Sequence, residues 1–121
     1  DFGKIDILIN HASVRPHASL LKMDEWDWHR VLDVNITGAF LMMQSVGRMM
    51  KAQGSGVIIS LVEEAGKTSE KEAGAYFASQ AGLRELSEQM NLELNSYHVK
   101  VFAVENSEHT IEKVFSLLEE A

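Results

Sequence analysis

Gly54-Ser55-Gly56-Val57-Ile58-Ile59-Ser60-Leu61-Val62 is the stretch that decides the fold. The glycine-serine run ends the element before it, and the six residues that follow are apolar at odd and even positions alike, apart from Ser60. Successive strand residues point to opposite faces, so a strand apolar on both is interior to a covered sheet, the habit of parallel sheets. Upstream, Ile5-Asp6-Ile7-Leu8-Ile9-Asn10 is also short and β-branched and runs into polar His11-Ala12-Ser13. Downstream, Val99-Lys100-Val101-Phe102-Ala103-Val104 gives a third strand.

The segments between them read as helices. Asp24 is an N-cap candidate, and from 26 to 51 the residues Val31, Val34, Phe40, Leu41, Met43, Val46, Met49 and Met50 recur at spacings of three and four, predicting one long helix with a wide apolar face. Residues 63–74 read as a charged, glycine-bearing loop. A second long helix is predicted over 75–95 and a short last one over 110–119, with Ile111, Val114, Phe115, Leu117 and Leu118 on one side. The β-α-β-α-β-α order predicts an α/β fold with a parallel sheet, because parallel neighbours need a crossover and crossovers are right-handed. Two successive crossovers in one direction put both long helices on the same sheet face. The opposite face is then thinly covered, and another segment or another copy of the chain is expected to cover it.

Composition narrows the function classes. The 121 residues make a single domain, with 45% apolar and 24% charged residues. A net charge of −7 has the wrong sign for tracking nucleic-acid phosphates. No run approaches the roughly 18 apolar residues of a membrane span. Without cysteine there is no disulfide, thiol catalyst or Cys-ligated zinc, and nothing resembles a secretory signal, so a cytoplasmic setting is expected. His11, His17, His29, His98 and His109 lack metal-ligand spacing, so no metal is expected. Asn35-Ile36-Thr37 fits a glycosylation sequon but falls inside a predicted helix. The chain opens Asp1-Phe2-Gly3-Lys4 and reaches a strand by Ile5, which leads to the expectation that an N-terminal part precedes it.

Several runs carry a resemblance. Phe2-Gly3-Lys4-Ile5-Asp6-Ile7-Leu8-Ile9-Asn10 resembles the lead-in to the Asn-Asn-Ala-Gly motif of the short-chain dehydrogenase/reductase family, and Val34-Asn35-Ile36-Thr37-Gly38-Ala39-Phe40 is similar to its next helix. Gly54 to Ile59 resembles the strand leading to the family's catalytic serine. Ala75-Tyr76-Phe77-Ala78-Ser79-Gln80-Ala81-Gly82-Leu83 resembles the helix bearing its Tyr-x-x-x-Lys pair. The resemblance covers about residues 2 to 104 and implies the C-terminal half of a Rossmann-like domain, an oxidoreductase activity with NAD or NADP, and a dimer formed through the two long helices.

The site residues implied by this resemblance are partly retained and partly replaced. Tyr76 stands where the family has its general acid/base, and Asn35 where it has a kinked helix with bound water. The lysine position is Gln80 and the serine position is Glu63. A neutral amide gives no positive charge to lower a tyrosine pKa near 10, and a carboxylate opposes both tyrosinate and the negative charge growing on a carbonyl oxygen. Ser60, three residues before Glu63, points to the wrong strand face to substitute. The cofactor motif reads Asn10-His11-Ala12-Ser13, the Pro-Gly after the third strand reads Asn106-Ser107, and the glycine-rich phosphate loop has no counterpart in these 121 residues.

Three functions follow as expectations: half of an NAD(P)-dependent oxidoreductase with impaired catalysis, a non-catalytic dimerisation or binding module, or a divergent enzyme using Tyr76 and Glu63. Glu63 and Glu64 otherwise read as solvated loop charges. The Met42-Met43 and Met49-Met50 pairs are packing or interface candidates.

Overall fold

The computed structural model describes residues 3–11, 13–64, 71–107 and 109–120. Three strands, β1 (Ile7–Asn10), β2 (Gly56–Val62) and β3 (Val99–Glu105), pair in parallel in the order β1-β2-β3. Ile9 lies opposite Ile59, and Ile58 opposite Val101. β1 starts two residues later than the sequence predicts. At Ile5 the backbone is paired by a side chain instead: its N–H donates to Gln53 Oε1 at 3.0 Å, and Gln53 Nε2 donates to its carbonyl at 2.9 Å.

The predicted 26–51 helix is two helices, α1 (Glu25–Leu32) and α2 (Gly38–Gln53), joined by a π-helical turn over Asp33–Thr37. Asp24 caps α1 by accepting the Asp27 N–H at 2.7 Å. The π turn takes up one extra residue, which rotates everything after it. Counting about 3.6 residues per turn from Val31, an unbroken helix would turn Met42, Ser45 and Met49 inward. Met43, Val46 and Met50 are buried instead, while Leu41 and Met49, assigned to the apolar face from spacing, are exposed. Gly54 ends α2 at φ 76°, a left-handed conformation that glycine adopts without strain, and its N–H donates to the Met50 carbonyl at 2.9 Å.

α3 (Gly74–Leu94) crosses from β2 to β3, and α4 (Thr110–Glu120) follows β3. Ile58, Val62, Val99 and Val101 meet Met43, Val46 and Met50 of α2 and Leu83 and Leu94 of α3, so both long helices share one sheet face as the crossover argument requires. Val57, Ile59 and Val104 point the other way, against Val114, Leu117 and Leu118 of α4. Ile111 and Phe115 do not join that side; they are exposed, because the 114/117/118 stripe alone reaches the sheet. By register Ile7 and Ile9 of β1 share the α4 face, and they remain 45% and 48% exposed. The thin covering expected of that face is therefore concentrated over β1.

Candidate functional site

Where β1 and β2 end, the loop after β1, the π turn and the start of α3 come together. Asn35 holds this junction from inside. It is buried, its Oδ1 accepts the Val14 N–H at 2.8 Å, and its Nδ2 donates to the Val14 carbonyl at 3.0 Å and to Ser79 Oγ at 2.9 Å. Ser79 Oγ in turn donates to the Tyr76 carbonyl at 2.6 Å. Asn is a poor residue for a helix interior, but here the π turn aims its amide at two other segments. Asn35 thus fixes both the loop that carries Arg15 and the helix that carries Tyr76.

Glu63 lies at the centre of the cluster. The Tyr76 hydroxyl donates to Glu63 Oε2 at 3.0 Å, and Arg15 Nη1 reaches the same oxygen at 3.3 Å. The main chain of Glu63 is held independently: its N–H donates to Gln80 Oε1 at 2.9 Å, and Arg84 Nη2 donates to its carbonyl. With a side chain only 16% exposed, Glu63 is not the solvated loop charge that its neighbours in sequence suggest. The Arg15 guanidinium also lies over the Tyr76 ring, 4.5 Å from its centroid, and 5.3 Å from that of Phe77.

This arrangement keeps the phenol protonated. Burial raises the Tyr76 pKa above its ordinary value of 10.0, the hydrogen bond to Glu63 and the Glu63 charge push it up further, and Arg15 draws it partly back. Gln80, where the resemblance calls for a cation, uses its amide oxygen on the Glu63 backbone.

Two participants, Arg15 and Arg84, are not singled out by any motif. Arg84 follows Gln80 by four residues and Tyr76 by eight, and that helical spacing was a usable signal. Arg15 is 48 residues from Glu63 in a short loop, where sequence gives no side-chain direction.

The other expected site residues lie to one side. Asn10 Nδ2 donates to Ser60 Oγ at 3.3 Å, and Asn10, His11, Ser13 and Gln80 line one cleft of about 360 Å³, which Tyr76 and Glu63 do not reach. Ala12 lies outside the described residues. Ser60 is fully buried against Met43 and takes no part in the Tyr76 cluster. Asn106 and Ser107 serve the next turn: the Asn106 N–H donates to the Val62 carbonyl at 2.7 Å, and the Ser107 N–H to Thr110 Oγ1 at 2.7 Å. Among the described residues no three His, Asp or Glu side chains could hold a metal ion.

Comparison with known proteins places the chain. Its residues 1–108 match the short chain dehydrogenase family. A 3-oxoacyl-[acyl-carrier-protein] reductase of Synechocystis is 37% identical over 85% of this chain and 42% of its own length. A D-threitol dehydrogenase of Mycolicibacterium smegmatis is 35% identical over 84% of this chain and 39% of its own. The crystal structure of a gluconate 5-dehydrogenase from Burkholderia cenocepacia, in complex with NADP and tartrate, superposes with a TM-score of 0.80 at 30% identity, covering 84% of this chain and 40% of that one. The chain belongs to the short chain dehydrogenase family, and it spans about two-fifths of the length of these relatives.

Two of the positions that the resemblance assigns to proton transfer are paired within the chain. The position that requires a cation carries Gln80, whose amide oxygen is already engaged, and the tyrosine hydroxyl is engaged by Glu63.

Proposed function

We propose that this chain is a short chain dehydrogenase scaffold whose proton-transfer step is impaired, and that it acts as a dimerisation or binding module rather than as an efficient NAD(P)-dependent oxidoreductase. The observation that carries this reading is the Tyr76–Glu63 hydrogen bond. A tyrosine serving carbonyl reduction must direct its proton to the substrate oxygen. Here the proton is directed to a carboxylate, and that carboxylate opposes the negative charge a substrate oxygen would develop. Gln80 contributes no compensating charge. NAD or NADP would supply only the hydride exchange, and the chain's own residues offer it a partial site at Asn10, His11 and Ser13.

The dimerisation role is supported by a groove between α2 and α3 in which Phe40, Gly47, Leu86 and Met90 lie beside Arg48 and Glu93. A second copy placing the same two helices against this groove closes a two-fold pair. The absence of cysteine supports a cytoplasmic setting, and among the described residues no helix is long and apolar enough to cross a membrane.

The test is to install the family's residues, Glu63→Ser with Gln80→Lys, in the complete gene product and to assay carbonyl reduction. Positioned general acid/base chemistry contributes about 10²- to 10⁴-fold, so the double variant should exceed the parent by at least the lower figure. A parent already as active as the double variant, or a double variant that binds cofactor with no gain, overturns the reading.

A further inference from the structure

Residue 63 is the first after β2, and one face of α3 meets it at three points: Tyr76 at the carboxylate, Gln80 at the N–H and Arg84 at the carbonyl. Four-residue steps along a helix keep all three side chains on that face. The contacts differ in what they fix. The peptide before the Glu63 Cα is held at both ends, because the Val62 carbonyl accepts the Asn106 N–H at 2.7 Å and the Glu63 N–H donates to Gln80 Oε1 at 2.9 Å. The peptide after it has Arg84 on its carbonyl, while its N–H, that of Glu64, donates to Glu63 Oε1 at 3.3 Å.

In a trans peptide the carbonyl and the N–H point in opposite directions. Arg84, by drawing the carbonyl toward α3, therefore turns the Glu64 N–H back onto the carboxylate. With Oε1 engaged from that side, Oε2 is the oxygen that meets the Tyr76 hydroxyl at 3.0 Å. We propose that Arg84 is a positioning residue for the Tyr76–Glu63 pair, acting through the peptide after Glu63 to aim the carboxylate at the phenol. The proposal rests on the Tyr76–Glu63 contact that carries the functional reading, and it adds the residue that keeps this contact in place.

The test is a spectrophotometric titration of the Tyr76 phenol in the full-length protein, each variant referenced to the same variant carrying Tyr76→Phe. Glu63 and Arg15 are the charged groups that face the phenol from other elements. Loss of a guanidinium leaves the midpoint unchanged or raises it by its charge alone, whereas a carboxylate free to turn away lowers it. Arg84→Ala should therefore lower the midpoint by at least about 0.5 in pH, against the charge effect. Arg84→Lys, which keeps a donor and the charge, should recover the parent value. In Glu63→Gln, which has no carboxylate to misdirect, adding Arg84→Ala should give no fall. Should Arg84→Ala not fold, Arg84→Met keeps the stem of this half-buried side chain and takes its place. A midpoint that stays or rises in Arg84→Ala, no recovery in Arg84→Lys, an equal fall in the Glu63→Gln background, or failure of both truncations to fold overturns the proposal. Any of these leaves the functional reading standing so long as the parent midpoint lies above 10.0. Absence of a reductase gain from Glu63→Ser with Gln80→Lys would remove that reading and not this inference.

Discussion

Replacing Asn35 by Ala removes three hydrogen bonds from a buried position: one accepted from the Val14 N–H and two donated, to the Val14 carbonyl and to Ser79 Oγ. Each is worth about 1 kcal/mol net, and a buried group left unpaired costs that much or more, so the loss should be about 3 kcal/mol. For a domain whose whole stability is of the order of 5–15 kcal/mol, that is a large share. In urea, with a slope of about 1–3 kcal/mol per molar, the unfolding midpoint should fall by about 1–3 M with the slope unchanged. Asn35→Asp should be no better than Asn35→Ala, since it keeps the acceptor for Val14 but sets a carboxylate against the Val14 carbonyl. Ser79→Ala, which removes one of the three bonds together with the bond Ser79 Oγ donates to the Tyr76 carbonyl, should cost about two thirds as much. A midpoint shift below about 0.5 M for Asn35→Ala would refute the claim that this side chain ties the Arg15 loop to α3.

Gly56→Ala would drive a Cβ into the Met50 side chain at φ 155°, and Met50 is fully buried, so a loss of about 1–3 kcal/mol is expected by thermal or urea unfolding; a neutral effect would mean that the α2–β2 contact yields easily. Calorimetry of the 121-residue chain with NAD or NADP should give a Kd weaker than about 10 μM, equivalent to about −7 kcal/mol, and tighter binding would contradict the proposal that these residues offer the cofactor only a partial site. Sedimentation equilibrium at micromolar concentration should show a dimer or larger assembly; a clean 13.5 kDa monomer would count against pairing through α2 and α3.

Much of the fold was legible because it depends on periodicity. Apolar character on both faces of 57–62 gave an interior parallel strand, and two crossovers in one direction placed α2 and α3 together. The π turn was not legible from spacing, since apolar residues recur at threes and fours through it and hide the extra residue. The consequence was that Leu41 and Met49 were assigned to one apolar face together with Met43, Val46 and Met50, although only the last three are buried. Within the site, the thirteen-residue step from Glu63 to Tyr76 and the four-residue step to Gln80 could be read along the chain. The partnership of Arg15 with Glu63 could not, because it arises only when the end of β1 is packed beside the end of β2. Glu63 itself looked solvated for the same reason: its neighbours in sequence are polar, and its neighbours in space are not visible there.

The central claim is that Tyr76 keeps its proton because burial, the hydrogen bond its hydroxyl donates to Glu63 and the Glu63 charge all disfavour tyrosinate, while Gln80 supplies no opposing charge. The direct measurement is a spectrophotometric titration of phenolate absorbance, parent minus Tyr76→Phe, repeated in Glu63→Ser with Gln80→Lys. Because the folded-state pKa is raised, the linked stability is intact below pH 10.0 and is lost as pH rises through the folded value, so unfolding free energy measured across that range should decline in step. A Tyr76 midpoint above 10.0 in the parent that moves down in the double variant is the predicted result; a parent midpoint at or below 10.0, or one that the two substitutions leave unmoved, contradicts it.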